Sequence, residues 1–273
     1  MRQAQRTQPD ILPTQTGTKL PLARGGYFGL SSQPLHILLF LTPFIIFYEL
    51  GSTGLIGKGL EATLEAQELL VRFFDLFGAG VLGLHLPMLA LVVTLVVQHL
   101  MSRKSWSIHF GVLLAMLAES AFLTGPLIVL AIVIEPAAVA ALSQQVPTDA
   151  VVEGTNTLEG IYLAFGAGLY EELLFRLVLI TILHFIVSDV LGFKHKTGLI
   201  VAVGLSAIAF AWHHNEVMIP GVGINWRLAT FYTLAGAYFG LLFVSRGLGI
   251  AVGAHMMYDL LVFVIMPGIQ GHD

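Results

Sequence analysis

Long apolar stretches recur through this 273-residue chain, and they limit the folds open to it more than any other feature. A helix needs about 20 apolar residues to span the hydrocarbon core of a bilayer, where every backbone polar group must be satisfied internally. The mean hydropathy of +0.84 and the charged fraction of 11% are far from those of a soluble domain. The sequence therefore predicts an integral membrane protein, an all-α bundle of about seven to eight helices. The candidate spans are 35–51, 80–101, 106–134, 158–187, 198–212, 228–244 and 248–266.

The chain divides into a polar N-terminal segment and one transmembrane domain. Residues 1–32 contain four basic residues and lack the apolar core of a signal peptide, so we expect a mobile tail. Residues 33–273 form the single transmembrane domain. Within it, 60–77 carries apolar residues at helical spacing with charges on the other face. This pattern fits an interfacial amphipathic helix, and it fits equally a short helix packed on the bundle.

Basic residues are distributed unevenly between the connections of the predicted helices. Cytoplasmic loops of membrane proteins carry an excess of Lys and Arg. An N-terminus in the cytoplasm, in a cell inner or plasma membrane, puts most of these residues on the cytoplasmic side and the C-terminus outside. The cytoplasmic side would then hold the tail with Arg103, Lys104, Lys194, Lys196 and Arg246, and the opposite side Lys58, Arg72 and Arg227.

The composition also limits the chemistry. No cysteine is present, which excludes disulfides, thiolate nucleophiles and cysteine-ligated metal sites. A net charge of −4 with thinly spread Lys and Arg offers no basic surface for a phosphate backbone, so nucleic acid is not expected as a partner. Any chemistry must therefore use carboxylates and imidazoles, with the lipid bilayer as the surrounding medium.

Three ionisable side chains lie close together in one apolar stretch, within the sequence GLYEELLFRLVLI. Each costs roughly 2.5 to 3.5 kcal/mol to insert into a bilayer, so such residues are functional candidates. Glu172 and Arg176 are one turn apart with the acid first, which is the favourable order for an ion pair. Glu171 lies about 140° from Arg176 around a regular helix and has no partner there. Glu171 is thus the carboxylate left for chemistry, unless all three side chains pair with polar groups on neighbouring helices.

Two further helices carry histidines. LSAIAFAWHHNE ends in His213 and His214, with Phe210 one turn before His214, and helix caps or interfacial anchors explain such a pair as readily as catalysis does. In GIAVGAHMMYDLLVFVI, His255 and Asp259 share one helix face, so they either act as one unit or form a structural pair. Acids and imidazoles from three helices, brought together in a water-filled intramembrane cavity, would suit an acid–base hydrolase.

At these positions the chain resembles the CAAX protease and bacteriocin-processing family of intramembrane proteases, which includes type II CAAX prenyl endopeptidases. The family motifs are EExxxR, FxxxH and HxxxN, in that order on three helices. EELLFR matches the first in full, FAWHH matches the second through Phe210 and His214, and HMMYD matches the third through His255. The departure is Asp259, where the family pattern most often has Asn. The resemblance places a protease-like core at about 156–268.

The resemblance implies an intramembrane endopeptidase that acts on a membrane-associated peptide or protein, with or without a prenyl group. Glu171 with His214 would activate a water, while His255 and the group at position 259 would stabilise the oxyanion. An ionised aspartate cannot donate a hydrogen bond to an oxyanion, so Asp259 would be protonated, orient His255, or help to bind a metal. A supporting role falls to Glu172, Arg176 and Phe210.

Metal dependence and the class of protein stay open at this point. Glu171, His214 and His255 could together ligate zinc, but no HExxH motif is present, and we prefer a glutamate-activated water without a metal. A catalytically silent membrane scaffold or immunity-type protein would use the same fold, and Asp259 would then be the first sign of lost activity. A proton-coupled transporter or a haem-binding membrane protein could use the same side chains.

The predicted spans also raise a question of depth and sidedness. His214 would lie near the outer end of its helix, and His255 about eight residues, or roughly 12 Å, from the cytoplasmic end of its own. The two would not meet unless helices are broken or tilted, or the topology is inverted. The family's CAAX-processing members work on the cytosolic face, which conflicts with the charge bias of this chain.

Overall fold

The computed structural model describes residues 26–53, 65–78, 85–134, 157–219 and 221–266, and these are almost entirely helical. Six helices are long and apolar enough to span a membrane, which confirms the prediction of an all-α transmembrane bundle. Together with a shorter apolar helix, they correspond to the seven predicted spans. The helices are α1 (Tyr27–Ser31), α2 (Pro34–Ser52), α3 (Glu65–Asp75), α4 (Leu86–Ser102, the shorter apolar helix), α5 (Phe110–Ile134), α6 (Thr157–Val190), α7 (His195–His213), α8 (Trp226–Arg246) and α9 (Leu248–Ile265).

Helix α6 extends over 34 residues, and its winding changes where the acidic residues lie. It is α-helical over Thr157–Glu171 and π-helical over Glu172–Ile180. A π-helical turn widens a helix locally, and such turns are frequent at functional sites. The change falls between the two adjacent acids, so they belong to differently wound segments of one helix.

Helices α6 and α9 pack closely through small residues. A Cβ atom at Gly168 in α6 would lie 3.1 Å from the backbone nitrogen of Met256 and 3.3 Å from the carbonyl oxygen of Val252 in α9. A Cβ atom at Gly160 would lie 2.9 Å from the carbonyl oxygen of Phe263. Glycine allows membrane helices to approach this closely because it has no side chain in the contact. The contact places the acidic segment of α6 directly beside the histidine-bearing segment of α9.

The connection between α7 and α8 lies at one end of the bundle, next to the histidine pair. After α7 ends at His213, a short 3-10 turn covers Asn215–Val217. A small antiparallel hairpin then pairs strand β1, Met218–Ile219, with strand β2, Gly223–Ile224. The side chain of Asn225 accepts a hydrogen bond from the first turn of α8 and so caps that helix.

The last part of the predicted N-terminal tail is helical. The tail up to residue 25 lies outside the described residues, but α1 packs against the bundle. The Tyr27 hydroxyl donates a hydrogen bond to Glu119 of α5, and Arg246 of α8 donates to the same carboxylate at 2.6 Å. Arg246 also donates to the hydroxyl of Ser31 at 3.1 Å. The polar composition of the tail could not reveal these partners, because they lie far away in the sequence.

The predicted amphipathic segment forms helix α3 over part of its length. Ala66 and Leu70 of this helix pack against the hydrophobic core, whereas Leu69 and Phe73 are 49% and 53% exposed. The helix therefore packs on the bundle and also presents apolar side chains outward. It combines features of the two arrangements that the sequence left open.

We expect Gly168→Val to destabilise the contact between α6 and α9. The new side chain would crowd Met256 and the α9 backbone, and overpacking of this kind costs about 1–3 kcal/mol. Thermal unfolding of the purified protein in detergent should show a lower midpoint than for the wild type. Gly204→Val is the matched control, because a Cβ atom at Gly204 meets no described atom within 4 Å. Equal midpoints for the two variants would contradict this account of the packing.

Candidate active site

A cavity of about 360 Å³ lies between helices α5, α6, α8 and α9 and the end of α7. One part of its wall is polar and the rest is apolar, so the described residues contain the polar intramembrane cavity that the sequence predicts. The wall includes the polar residues Glu171, His213, His214, Glu216, Tyr232, His255, Tyr258 and Asp259, and the apolar residues Leu127, Leu163, Phe231, Val262 and Phe263.

Glu171 faces this cavity from α6. Its Oε2 atom is buried and makes no hydrogen bond with the described residues. Two imidazole nitrogens lie just beyond hydrogen-bond distance of this atom, Nε2 of His255 at 3.8 Å and Nε2 of His214 at 4.0 Å. Polar contacts of this length are commonly bridged by water. The carboxylate is therefore placed to accept a hydrogen bond from a small group in the cavity.

Glu172 and Arg176 form the ion pair that their spacing predicts, behind the cavity wall. Nε of Arg176 lies 3.2 Å from Oε2 of Glu172, and neither side chain has exposed surface. The guanidinium also donates to the carbonyl oxygen of Gly236 at 3.4 Å, and its Cζ atom lies 4.3 Å from the centre of the Phe210 ring. A buried charge is costly unless it is paired. Each partner therefore makes the burial of the other tolerable.

His255 has a closer partner than the aspartate on its own helix. Its Nε2 atom lies 3.5 Å from Oδ2 of Asp259, as expected from their shared face, but its Nδ1 atom lies only 2.8 Å from Oε1 of Glu172. Helical spacing along α9 cannot reveal an acid that approaches from α6. Glu172 therefore links Arg176 to His255, in addition to the ion pair that the sequence predicts.

His214 is oriented by a carbonyl group and by an aromatic ring. Its Nδ1 atom donates to the carbonyl oxygen of Phe210 at 2.8 Å, because a carbonyl oxygen can only accept. In a neutral imidazole, Nε2 then carries the lone pair. The ring also stacks on Tyr232, with centres 3.8 Å apart and planes 22° apart. These contacts direct Nε2 toward Glu171.

His214 and His255 approach the same carboxylate, so the expected difference in depth is absent. Both Nε2 atoms lie within 4.0 Å of Oε2 of Glu171. The expectation was wrong because it assumed that each predicted helix reaches the edge of the bilayer. The His214 side chain is only 18% exposed, and the chain beyond it continues as short turns rather than as helix.

Two aromatic residues of α8 belong to the site and were not singled out from the sequence. Tyr232 stacks on His214, and Phe239 stacks on His255 with ring centres 4.4 Å apart and planes 17° apart. They lie seven positions apart in FYTLAGAYF, which puts them on one face of the helix. This spacing was the available signal, but an aromatic pair on an apolar helix is usually part of a core.

The side chains named as zinc ligands from the sequence, Glu171, His214 and His255, are not arranged as a preformed metal site. No group of three His, Cys, Asp or Glu side chains in the described part of the chain has such an arrangement. The two separations from Oε2 of Glu171, 3.8 and 4.0 Å, exceed those between ligands of a tetrahedral zinc ion, about 3.4 Å for bonds of about 2.05 Å. Zinc binding by these three side chains, like the metal-free alternative, stays a prediction.

The fold and the site together define a polytopic membrane protein with an acid–imidazole cluster on the wall of an internal cavity. Residues 153–261, which include all three motifs, match the family described as type II CAAX prenyl endopeptidase Rce1-like. This match confirms the resemblance to the CAAX protease and bacteriocin-processing family over that part of the chain. No curated protein and no solved structure matches the chain.

We expect Arg176→Gln to destabilise the protein strongly, because it removes the guanidinium paired with the buried Glu172 and leaves that carboxylate only its contact with His255. Breaking a buried ion pair in this way costs about 3–5 kcal/mol. Arg72→Gln is the control, because it breaks another pair of the same spacing, Arg72–Glu68, whose side chains are 77% and 45% exposed. That change should cost less than about 1 kcal/mol. Thermal unfolding in detergent compares the two, and similar midpoints would contradict the importance of the buried pair.

Proposed function

We propose that this protein is an intramembrane endopeptidase in which Glu171 activates a water for attack on a peptide carbonyl. The observation that carries the proposal is the position of the Glu171 carboxylate on the cavity wall, with Nε2 of His214 and of His255 both within 4.0 Å of its Oε2 atom. A carboxylate and an imidazole at this spacing can hold a water between them and take its proton as it attacks.

Glu171 and His214 each interact with a different O–H group of the water. Nε2 of His214 can accept a hydrogen bond from one O–H group, since Nδ1 is engaged by the carbonyl oxygen of Phe210. Glu171 accepts the other proton as the oxygen attacks the carbonyl carbon. Glu171 can then transfer that proton to the amine nitrogen, which leaves when the carbon–nitrogen bond breaks. The products are a carboxylic acid and an amine, and both catalytic groups return to their starting state.

The Nε2 atom of His255 lies 3.8 Å from Oε2 of Glu171, where it can stabilise the developing oxyanion. In its imidazolium form, it donates through Nδ1 to Glu172 and presents its Nε2–H group to the cavity. The stack on Phe239 fixes the plane of the ring. Fixed donors of this kind contribute about 2.7–4 kcal/mol each to transition-state stabilisation in hydrolases.

The shape of the cavity supports a peptide substrate that lies at or within the bilayer. The polar cluster and apolar side chains such as Leu163, Phe231 and Val262 line the same cavity. Apolar residues next to the scissile bond would fit this wall, while the carbonyl group meets the acid and the imidazoles. We propose a membrane-associated peptide or protein as substrate, with or without a prenyl group.

We expect Glu171→Gln and His214→Ala to lower peptide cleavage by about 10²–10⁴-fold, because each removes an acid–base partner of the water. Cleavage of a quenched-fluorescent peptide library by the full chain in proteoliposomes measures the effect. Asp189→Asn is the control, because it removes a carboxylate from the exposed far end of the same helix. Activity of both site variants equal to that of the control would contradict the assignment.

Asp259 provides a sharper test, because the family pattern has Asn at this position. We expect Asp259→Asn to retain cleavage and to keep it at higher pH than the wild type, since an amide N–H still donates where an ionised carboxylate cannot. Asp259→Ala should lose about 10²–10³-fold through the missing donor. pH–rate profiles of the three proteins make the comparison. Loss of cleavage in Asp259→Asn would show that the carboxylate itself is required.

Cleavage should persist in the presence of a strong zinc chelator, because the proposed reaction uses Glu171 and two imidazoles without a metal. The comparison uses the wild-type protein in proteoliposomes before and after prolonged chelation. Loss of activity that returns with added zinc would instead support metal binding by Glu171, His214 and His255.

The departure at Asp259 favours one alternative function, a catalytically silent scaffold or immunity-type protein of the same fold. Such a protein would bind a membrane peptide in the cavity without cutting it. Peptide binding with no cleavage at any pH, by both the wild type and Asp259→Asn, would support this alternative over the peptidase.

A further inference from the structure

The seven apolar helices, α2 and α4 to α9, cross the bundle in alternating directions, so their ends define two faces. The tail face is the end at which α1 lies, where Arg246 at the end of α8 donates to Ser31 at 3.1 Å. The site face is the opposite end. There Arg227, at the start of α8, donates to the carbonyl oxygen of Ile134, the last residue of α5, at 2.7 Å. The two faces are thus identified by contacts between different helices.

The cavity lies toward the site face. Its apolar wall includes Leu127 of α5, Leu163 of α6, Phe231 of α8 and Phe263 of α9, each within seven residues of a helix end on that face. Glu216, in the turn that follows α7, also lines the cavity. A substrate therefore reaches the catalytic cluster from the site face or from the adjacent half of the bilayer.

Basic residues are concentrated on the tail face. Five Lys and Arg residues of the described ranges lie at that face, namely Arg103, Lys104, Lys194, Lys196 and Arg246. Two described basic residues, Arg72 and Arg227, lie at the site face, and Arg176 lies inside the bundle. An excess of Lys and Arg in short connections marks the cytoplasmic side of a membrane protein. By this rule the tail face is cytoplasmic and the site face is not.

From the position of the cavity and the distribution of charge, we propose that the site opens to the non-cytoplasmic side of the membrane. Its substrate is then a peptide segment exposed on that side, in an exported protein or a membrane protein. The part that concerns the substrate rests on the proposed peptidase function, whereas the orientation does not. A C-terminal peptide of a cytosolic protein would meet the face that carries the basic residues and not the cavity.

The chain contains no cysteine, so single cysteines can be introduced into it without removing any. Val222→Cys places one in the hairpin turn on the site face, where Val222 is 81% exposed. Ser105→Cys is the matched position, an exposed residue between α4 and α5 on the tail face. In intact bacterial cells, a membrane-impermeant maleimide should label Val222→Cys, and it should label Ser105→Cys only after permeabilisation. Labelling of Ser105→Cys alone, or equal labelling of both, would overturn the proposal.

Cleavage provides a second measurement. A membrane-impermeant quenched-fluorescent peptide is added to sealed right-side-out and inside-out vesicles that contain the full chain. We expect cleavage in right-side-out vesicles, and its loss in inside-out vesicles until detergent opens them. Cleavage in inside-out vesicles alone would overturn the proposed orientation. Absence of cleavage even in detergent would count against the peptidase function, while the cysteine labelling would still decide the orientation.

Discussion

The guanidinium of Arg176 has no exposed surface, and the geometry of the site depends on how that charge is neutralised. Glu172 pairs with it through one carboxylate oxygen and holds Nδ1 of His255 with the other. The same guanidinium contacts the Phe210 ring and a carbonyl group of α8. An unpaired charge in this place would be strongly destabilising. Helices α6, α7, α8 and α9 must therefore keep the positions in which they contact and neutralise the Arg176 guanidinium. Those positions set the direction in which the imidazole of His255 faces the cavity.

The two adjacent acids occupy opposite environments as a consequence. Glu172 is turned inward and has no exposed surface, whereas Glu171 lies on the wall of the cavity with a carboxylate oxygen that the described residues leave without a hydrogen bond. Adjacent positions on a helix point about 100° apart, so one helix can supply both a structural acid and a reactive one. The close approach of α6 and α9 at glycines then places the reactive acid within 3.8 Å of the imidazole of His255.

Aromatic rings determine the orientation of both imidazoles. Tyr232 and Phe239, two turns apart on α8, stack on His214 and His255 respectively. A ring stacked on one face and hydrogen-bonded at one nitrogen keeps little rotational freedom, so the second nitrogen of each imidazole has a defined direction. Preorganisation of this kind is what allows hydrogen-bonding groups to favour a transition state over a substrate. Asp259, 3.5 Å from Nε2 of His255, adds a carboxylate where the family pattern most often has an amide.

The sequence by itself determined the class of fold, the positions of the seven apolar helices, the ion pair of Glu172 with Arg176 and the three motifs, because these depend on hydropathy and on spacing within single helices. Only the tertiary structure decided which groups meet across helices. It joined Glu172 to His255, brought His214 and His255 to one carboxylate, and added Tyr232 and Phe239 to the site. The physical reason is that the periodicity of a sequence describes only the direction in which a side chain points around the axis of its own helix. The depth at which helices end, and the partners they present to one another, depend on packing between residues that are far apart in the chain.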